Sequence, residues 1–196
     1  MVKKIKITKT KYVSKEKYKI CISGAAGGEC TITAKQLAFE VGRAIAKNRA
    51  ILITGATTGI PNEAARGAKS AGGVSFGFSP ATTRKEHLNT YKLPIDYYDV
   101  IVYTGFGYAG RNLLLTRASD AVIIVCGRIG TLNEFTIAFE DRKVIGILQD
   151  SGGVTDELDR LLRIAQRGRK NIIFESDPAT LIKKVTDRLK KENRHG

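Results

Sequence analysis

Histidine is scarce in this chain: His87 and His195 are the only two in 196 residues. A histidine-rich metal site cannot be assembled from them, so no metal is expected. A Ser-His-Asp triad is poorly supplied for the same reason. Cysteine is also scarce. Cys21, Cys30 and Cys126 form no CxxC pair and are odd in number. They are expected to be reduced thiols in a cytoplasmic protein, with Cys21 and Cys126 lying in core strands. No apolar run approaches the ~20 residues of a membrane-spanning helix. The lysine-rich beginning lacks the apolar segment and cleavage site of a secretory signal. A membrane partner is therefore not expected.

Signature motifs are missing as well. There is no P-loop pattern (GxxxxGK followed by Ser or Thr) and no GxGxxG after the first strand, which argues against P-loop ATP hydrolysis and an ordinary NAD or FAD site. No GxSxG elbow is present.

What the chain has in excess is positive charge, +14 in all. Its location decides its meaning. Eight lysines stand in residues 1–19 against the single Glu16, and six cations in residues 183–196 face only Asp187 and Glu192. The long middle is nearly balanced. Basic ends on a balanced body favour solubility or loose electrostatic contact over specific recognition. With no zinc finger, RRM signature or aromatic-interleaved basic stripe, nucleic acid is not expected as the main partner.

Apolar content of 42% with 27% charged residues is that of an ordinary globular chain. Residues 1–18 read as a basic lead-in. Residues 19–196 then alternate short β-rich runs with helical patterns, as one Rossmann-like nucleotide-binding domain should. The runs are Lys19–Ser23, Ala50–Thr54, Val74–Phe78, Val100–Thr104, Ala121–Cys126, Val144–Leu148 and Asn171–Phe174. Most are continuously apolar, as strands covered on both faces are. The fold class expected is α/β: a three-layer α/β/α sandwich around a mainly parallel sheet of about seven strands. Thr33 with Gln36 reads as a capping box for the first helix, Pro61 as first-turn residue of the second, and Asp177 as the cap of the last. Segment 79–99 is polar and long for a connection, which suggests a binding loop or lid. His87 within it reads as a polar loop residue.

Glycines cluster after predicted strands. The first strand runs into Ser23-Gly24-Ala25-Ala26-Gly27-Gly28, and the second into Gly55-Ala56-Thr57-Thr58-Gly59. The fourth runs into Gly105 through Asn112, and the fifth into Gly127-Arg128-Ile129-Gly130-Thr131. In a parallel sheet these turns share the carboxyl edge, where ligands bind. Glycine permits close backbone approach, and the following helix amino termini offer free N–H groups to anions. Any one turn could be purely geometric. Four at one edge, two of them with arginine, point to a phosphorylated small molecule.

The stretches Gly110-Arg111-Asn112 and Gly130-Thr131-Leu132-Asn133-Glu134 resemble the Lonely Guy family, once filed as possible lysine decarboxylases. That family opens one helix with an RK or RN pair and the next with PGGxGTxxE. The likeness runs from about Lys19 to Leu148 and extends equally to the wider Lonely-Guy-like superfamily, including molybdenum cofactor carrier proteins. Members of the Lonely Guy family cleave the N-glycosidic bond of nucleoside 5′-monophosphates to free base and ribose 5-phosphate. Carried over by position, the resemblance implies Arg111 and Glu134 as catalytic residues. It places Gly130 and Thr131 in the phosphate turn.

The chemistry suits those residue types. A carboxylate can stabilise positive charge developing on ribose while orienting water. Arginine can hold phosphate or polarise the leaving base. Taken singly, Glu134 could simply favour its helix dipole, and Arg111 could be a surface ion-pair partner. Ser23, Gly24, Gly55, Thr57, Gly59, Asn112, Gly127 and Arg128 complete the expected ligand-binding set. Arg128 stands where the family pattern has its second glycine, adding bulk and fixed charge that suit a more anionic ligand. A non-catalytic carrier of a nucleotide or molybdopterin-type cofactor is therefore the alternative to the hydrolase. Lysine decarboxylation is excluded, since no Schiff-base lysine or pyridoxal phosphate site can be pointed to. No resident cofactor is implied, and the resemblance implies a homo-oligomer.

Overall fold

All seven expected β-runs form strands, and all pair in parallel. The computed structural model describes residues 17–27 and 30–192. Residues 1–16 of the basic lead-in, Gly28 of the first glycine turn, and Arg194 and His195 lie outside them. The strands are β1 (Lys19–Gly24), β2 (Ile51–Thr54), β3 (Val74–Ser79), β4 (Val100–Tyr103), β5 (Ala121–Val125), β6 (Val144–Leu148) and β7 (Ile172–Glu175). Their order in the sheet is β4-β3-β2-β1-β5-β6-β7. The chain thus builds outward from β1 in one direction, then returns to place β5 on its other side, with Ile20 opposite Ala121 and Gly24 opposite Val125.

Every crossover carries a helix: α1 (Ile32–Lys47), α2 (Ile60–Ser70), α3 (Arg84–Asn89), α4 (Gly107–Ala118), α5 (Ile129–Glu140) and α6 (Leu158–Ile164), with α7 (Pro178–Glu192) closing the chain. A 3-10 turn, Val154–Glu157, precedes α6. Alternate strand residues feed two separate cores. Ile20, Ile22, Ala121, Ile123 and Val125 pack with Val41, Ile45, Leu181 and Val185 of α1 and α7. Cys21, Val122 and Ile124 pack on the opposite face with Leu115, Phe135 and Leu158 of α4, α5 and α6. Two buried faces explain why β5 reads as an unbroken apolar run. Each aliphatic side chain so covered contributes about 1.5–3 kcal/mol.

Three expectations need correction. Helix α1 starts earlier than its capping box suggested: Thr31 is the cap, accepting from the Ala34 N–H at 3.0 Å. His87 is fully buried rather than a polar loop residue. Its Nε2 donates to the Pro94 carbonyl at 3.0 Å, and its Nδ1 accepts from the Ser79 hydroxyl at 2.8 Å. It therefore ties segment 79–99, which contains α3, to the end of β3. Third, Cys30 and Cys126 are joined in a disulfide, and only Cys21 is a free, buried thiol among the described residues. The pairing of β1 with β5 brings together two loops that are 96 residues apart in sequence.

Candidate functional site

The strand order changes direction between β1 and β5, and loops leaving a parallel sheet at such a point diverge and leave a crevice. A cavity of about 380 Å³ occupies it. Its walls come from the turns after β1, β2 and β5 and from the first turns of α4 and α5. Of the residues expected in the site, Gly24, Gly55, Thr57, Arg111, Asn112, Arg128, Gly130, Thr131 and Glu134 line it. Ser23, Gly59 and Gly127 do not. Gly59 holds a positive φ of 70°, and a Cβ there would meet the Ala25 carbonyl at 2.4 Å, so it shapes the turn. Gly127 packs against Thr131. Among the described residues no part of segment 79–99 lines the cavity.

Glu134 lies at the floor, only 7% exposed. The Ser23 hydroxyl donates to its Oε2, and Arg111 Nη1 lies 3.5 Å from its Oε1. The Asn112 amide also lies 3.0 Å from Asn133 Oδ1. Turned so that its nitrogen faces acceptors, it donates to Glu134 Oε1 and to the Tyr108 carbonyl, each at 2.9 Å. The opposite orientation sets oxygen against oxygen at both contacts, and with Asn112 so turned the Asn133 amide turns as well, donating to the Asn112 oxygen at 3.0 Å. Asn112 therefore positions Glu134. Burial pushes the Glu134 carboxyl above the ordinary glutamate range, while the Arg111 charge and the Ser23 hydroxyl oppose the rise.

Arg111 is 5% exposed, and burial lowers its pKa against the pull of Glu134. Its guanidinium sits 5.8 Å from the Tyr108 ring centre, and its buried Nε has no partner within the protein. Room for it exists because residue 55 is glycine. A Cβ at Gly55 would fall 1.8 Å from Arg111 Nη1. Arg128, by contrast, is exposed at the rim, and its Nη1 donates to the Gly27 carbonyl at 3.3 Å.

The backbone around the cavity is prepared for anions. Helices α2, α4 and α5 all begin here, and none has a side-chain cap. Helix α1 is capped by Thr31, α3 by Thr83 and α7 by Asp177, while α6, which begins away from the cavity, also lacks a side-chain cap. In α2 the Ile60 N–H already donates to the Ala25 carbonyl and Pro61 has none, and in α4 the Gly107 N–H donates to the Pro80 carbonyl, so the remaining first-turn N–H groups, those of α5 above all, are the ones open to an anion. Sequence reasoning missed Tyr108 and Ile129 as wall residues. Tyr108 could have been found, since it sits three residues before Arg111, one helical turn away.

Comparison with known proteins places this architecture. The family model described as the SLOG cluster4 family matches residues 17–182, nearly the whole described chain. The chain belongs to the SLOG cluster4 family. Within reach of this SLOG protein is an uncharacterized protein of Archaeoglobus fulgidus, 35% identical over 122 residues, covering 62% of this chain and 75% of the relative. Among solved structures, the molybdenum cofactor binding protein of the phototrophic bacterium Rippkaea orientalis is 26% identical, with a TM-score of 0.75, covering 90% of this chain and 99% of its own. The Moco carrier protein of Chlamydomonas reinhardtii matches at 25% identity, TM-score 0.75 and the same coverages. DNA processing protein A of Helicobacter pylori, at 18% identity and TM-score 0.62, covering 87% of this chain and 81% of its own, shares the fold. The SLOG member described here is thus Rossmann-like, as its strand pattern implied.

Proposed function

We propose that this protein binds and carries a phosphorylated small molecule, of nucleotide or molybdopterin type, without turning it over. The observation that carries the reading is the convergence of three uncapped helix amino termini on one cavity with Arg128 at its rim. That arrangement supplies N–H donors for a phosphate and a cation for further negative charge. The carboxylate that a hydrolase would use is engaged: Ser23, Arg111 and Asn112 all address Glu134, and burial disfavours its charged form. The similarity to two proteins named for the molybdenum cofactor supports the same side.

The second reading is N-glycosidic hydrolysis of a nucleoside 5′-monophosphate. It draws on the Arg111–Glu134 pair at the cavity floor. One set of measurements separates the two. Purified protein is titrated calorimetrically with AMP, GMP, GDP and a phosphorylated pterin, and the same mixtures are assayed for free base and ribose 5-phosphate. Saturable binding without base release supports the carrier. Base release that vanishes in Glu134→Gln establishes the hydrolase. Arg128→Gly is expected to weaken the diphosphate more than the monophosphate, by about tenfold. Equal affinities in variant and parent would remove Arg128 from the site.

The apolar surface along β4 and α4 is proposed to be covered by a second copy of the chain. Val100, Val102, Phe106, Leu113 and Leu114 are exposed there. Among the described residues no helix is long and apolar enough to cross a membrane.

A further inference from the structure

A second cavity, of about 360 Å³, lies at the opposite edge of the sheet. Its walls are the connection from α5 to β6 and the connection from α6 to β7, both of which enter the sheet at the amino ends of their strands. The crevice beside Glu134 opens at the carboxyl ends, so the length of a strand separates the two. Asn171 ties the two walls together. Its amide donates to the Arg142 carbonyl at 2.9 Å, and its own carbonyl accepts from the Ile145 N–H at 2.8 Å.

Four cations line this cavity, Arg142, Lys143, Arg167 and Lys170, and no carboxylate lines it. Gathering like charges around one concavity costs free energy that solvent and salt screen only in part. Elsewhere on the surface the chain offsets its arginines, as in the pairs Arg43–Glu40, Arg66–Glu63 and Arg163–Asp159. Arg142 and Lys170 are exposed and have no ion-pair partner among the described residues. The other two cations are held in place. Arg167 Nη1 donates to Glu140 at 3.1 Å, and its guanidinium lies 4.8 Å from the centre of the Phe139 ring, itself a wall of the cavity. Lys143 is half-buried, with its Nζ donating to the Arg117 carbonyl at 3.3 Å and to the Ser119 carbonyl. Two fixed cations and two unpaired ones therefore face one space. Arginine forks match phosphate oxygens in pairs, and lysines add point charge. Cations set around a concavity, instead of strung along a ridge, suit a compact ligand over an extended strand.

We propose that this cavity is a second anion site, taking a small polyanion of phosphate type with two or more charges. It is independent of what the crevice at the carboxyl edge binds.

The test uses the full chain with inorganic tripolyphosphate as probe and lysine acetylation, read by peptide mass, as footprint. Tripolyphosphate should slow acetylation of Lys143 and Lys170 severalfold and leave Lys35, on α1, unchanged. Replacing two surface cations together, Arg142→Ala with Lys170→Ala, should raise the tripolyphosphate concentration that half-protects Lys143 by about tenfold. Lys35→Ala with Lys85→Ala removes the same charge elsewhere and should leave that midpoint where it was, as should Arg128→Gly at the other edge. Unchanged acetylation of Lys143 and Lys170 up to millimolar tripolyphosphate would overturn the site. Equal shifts from the cavity pair and the charge-matched pair would overturn it too, since net charge alone would then account for the protection. An oligothymidylate that protects the same lysines at lower phosphate concentration than tripolyphosphate would overturn the small ligand in favour of a nucleic-acid strand.

Discussion

The pH response of Glu134 follows from its burial. Because the carboxyl's pKa in the folded protein lies above the ordinary glutamate value, its stabilising contribution is complete below that value. The contribution is lost as pH rises through the raised, folded value. Glutamine at this position cannot ionise. The melting temperature of Glu134→Gln relative to the parent should therefore climb as pH rises from about 4 toward neutrality. Paired thermal scans across that range check the sign, and a difference that falls with pH would contradict it. Gly55 offers a second measurement at this scale. Alanine would push its methyl into the Arg111 guanidinium, so Gly55→Ala should lower ligand affinity by at least about tenfold through misplacement of Arg111. Calorimetry on the folded variant reads it directly. That Arg111 and Glu134 lie on the cavity was legible from the sequence because their motifs are local. The hydroxyl that Ser23 gives to Glu134 was not, since the two are 111 residues apart and meet only when β1 pairs beside β5. Asn112, expected at the ligand from the family's Arg-Asn pair, does line the cavity, and the contact of its amide with Glu134 is one that no local pattern signalled.

Elements were the most readable level. Each strand appears within one or two residues of its apolar run, because covering both faces leaves little choice of composition. Helix starts were less so. Helix α4 begins at Gly107, a turn before the Arg111-Asn112 pair that the family resemblance put at a helix opening, since glycine marks a permissive backbone and not a boundary. In segment 79–99, polarity hid a short helix whose buried histidine has both ring nitrogens satisfied. Thr31→Ala removes the acceptor of the Ala34 N–H and should destabilise the protein by about 1 kcal/mol. It should leave nucleotide affinity unchanged, because no residue of α1 lines the cavity. Chemical denaturation and calorimetry on the same variant measure both halves. A loss of affinity comparable to that of Arg128→Gly would move α1 into the site.

For the molecule as a whole, seven parallel strands and their alternation with helices were legible, whereas the position of β5 beside β1 was not written in any local pattern. That adjacency also made the disulfide, which a count of three cysteines argued against. The exposed edge strand β4 is the other feature of this scale. Open, apolar edges invite pairing, and Val100 and Val102 are 42% and 40% exposed. Light scattering is expected to show a dimer or larger assembly, and Leu113→Asp with Leu114→Asp should return it to monomer. A monomeric parent would rule out the covered face. The sheet order has a consequence for synthesis. β1 is made early, but its partner across the crevice, and the helix carrying Glu134, come about a hundred residues later. A chain growing from the ribosome has no partial version of the cavity to offer. On the proposed function, ligand in the cell can engage only after α5 has emerged and docked, so occupancy of the site reports a chain folded at least through α5.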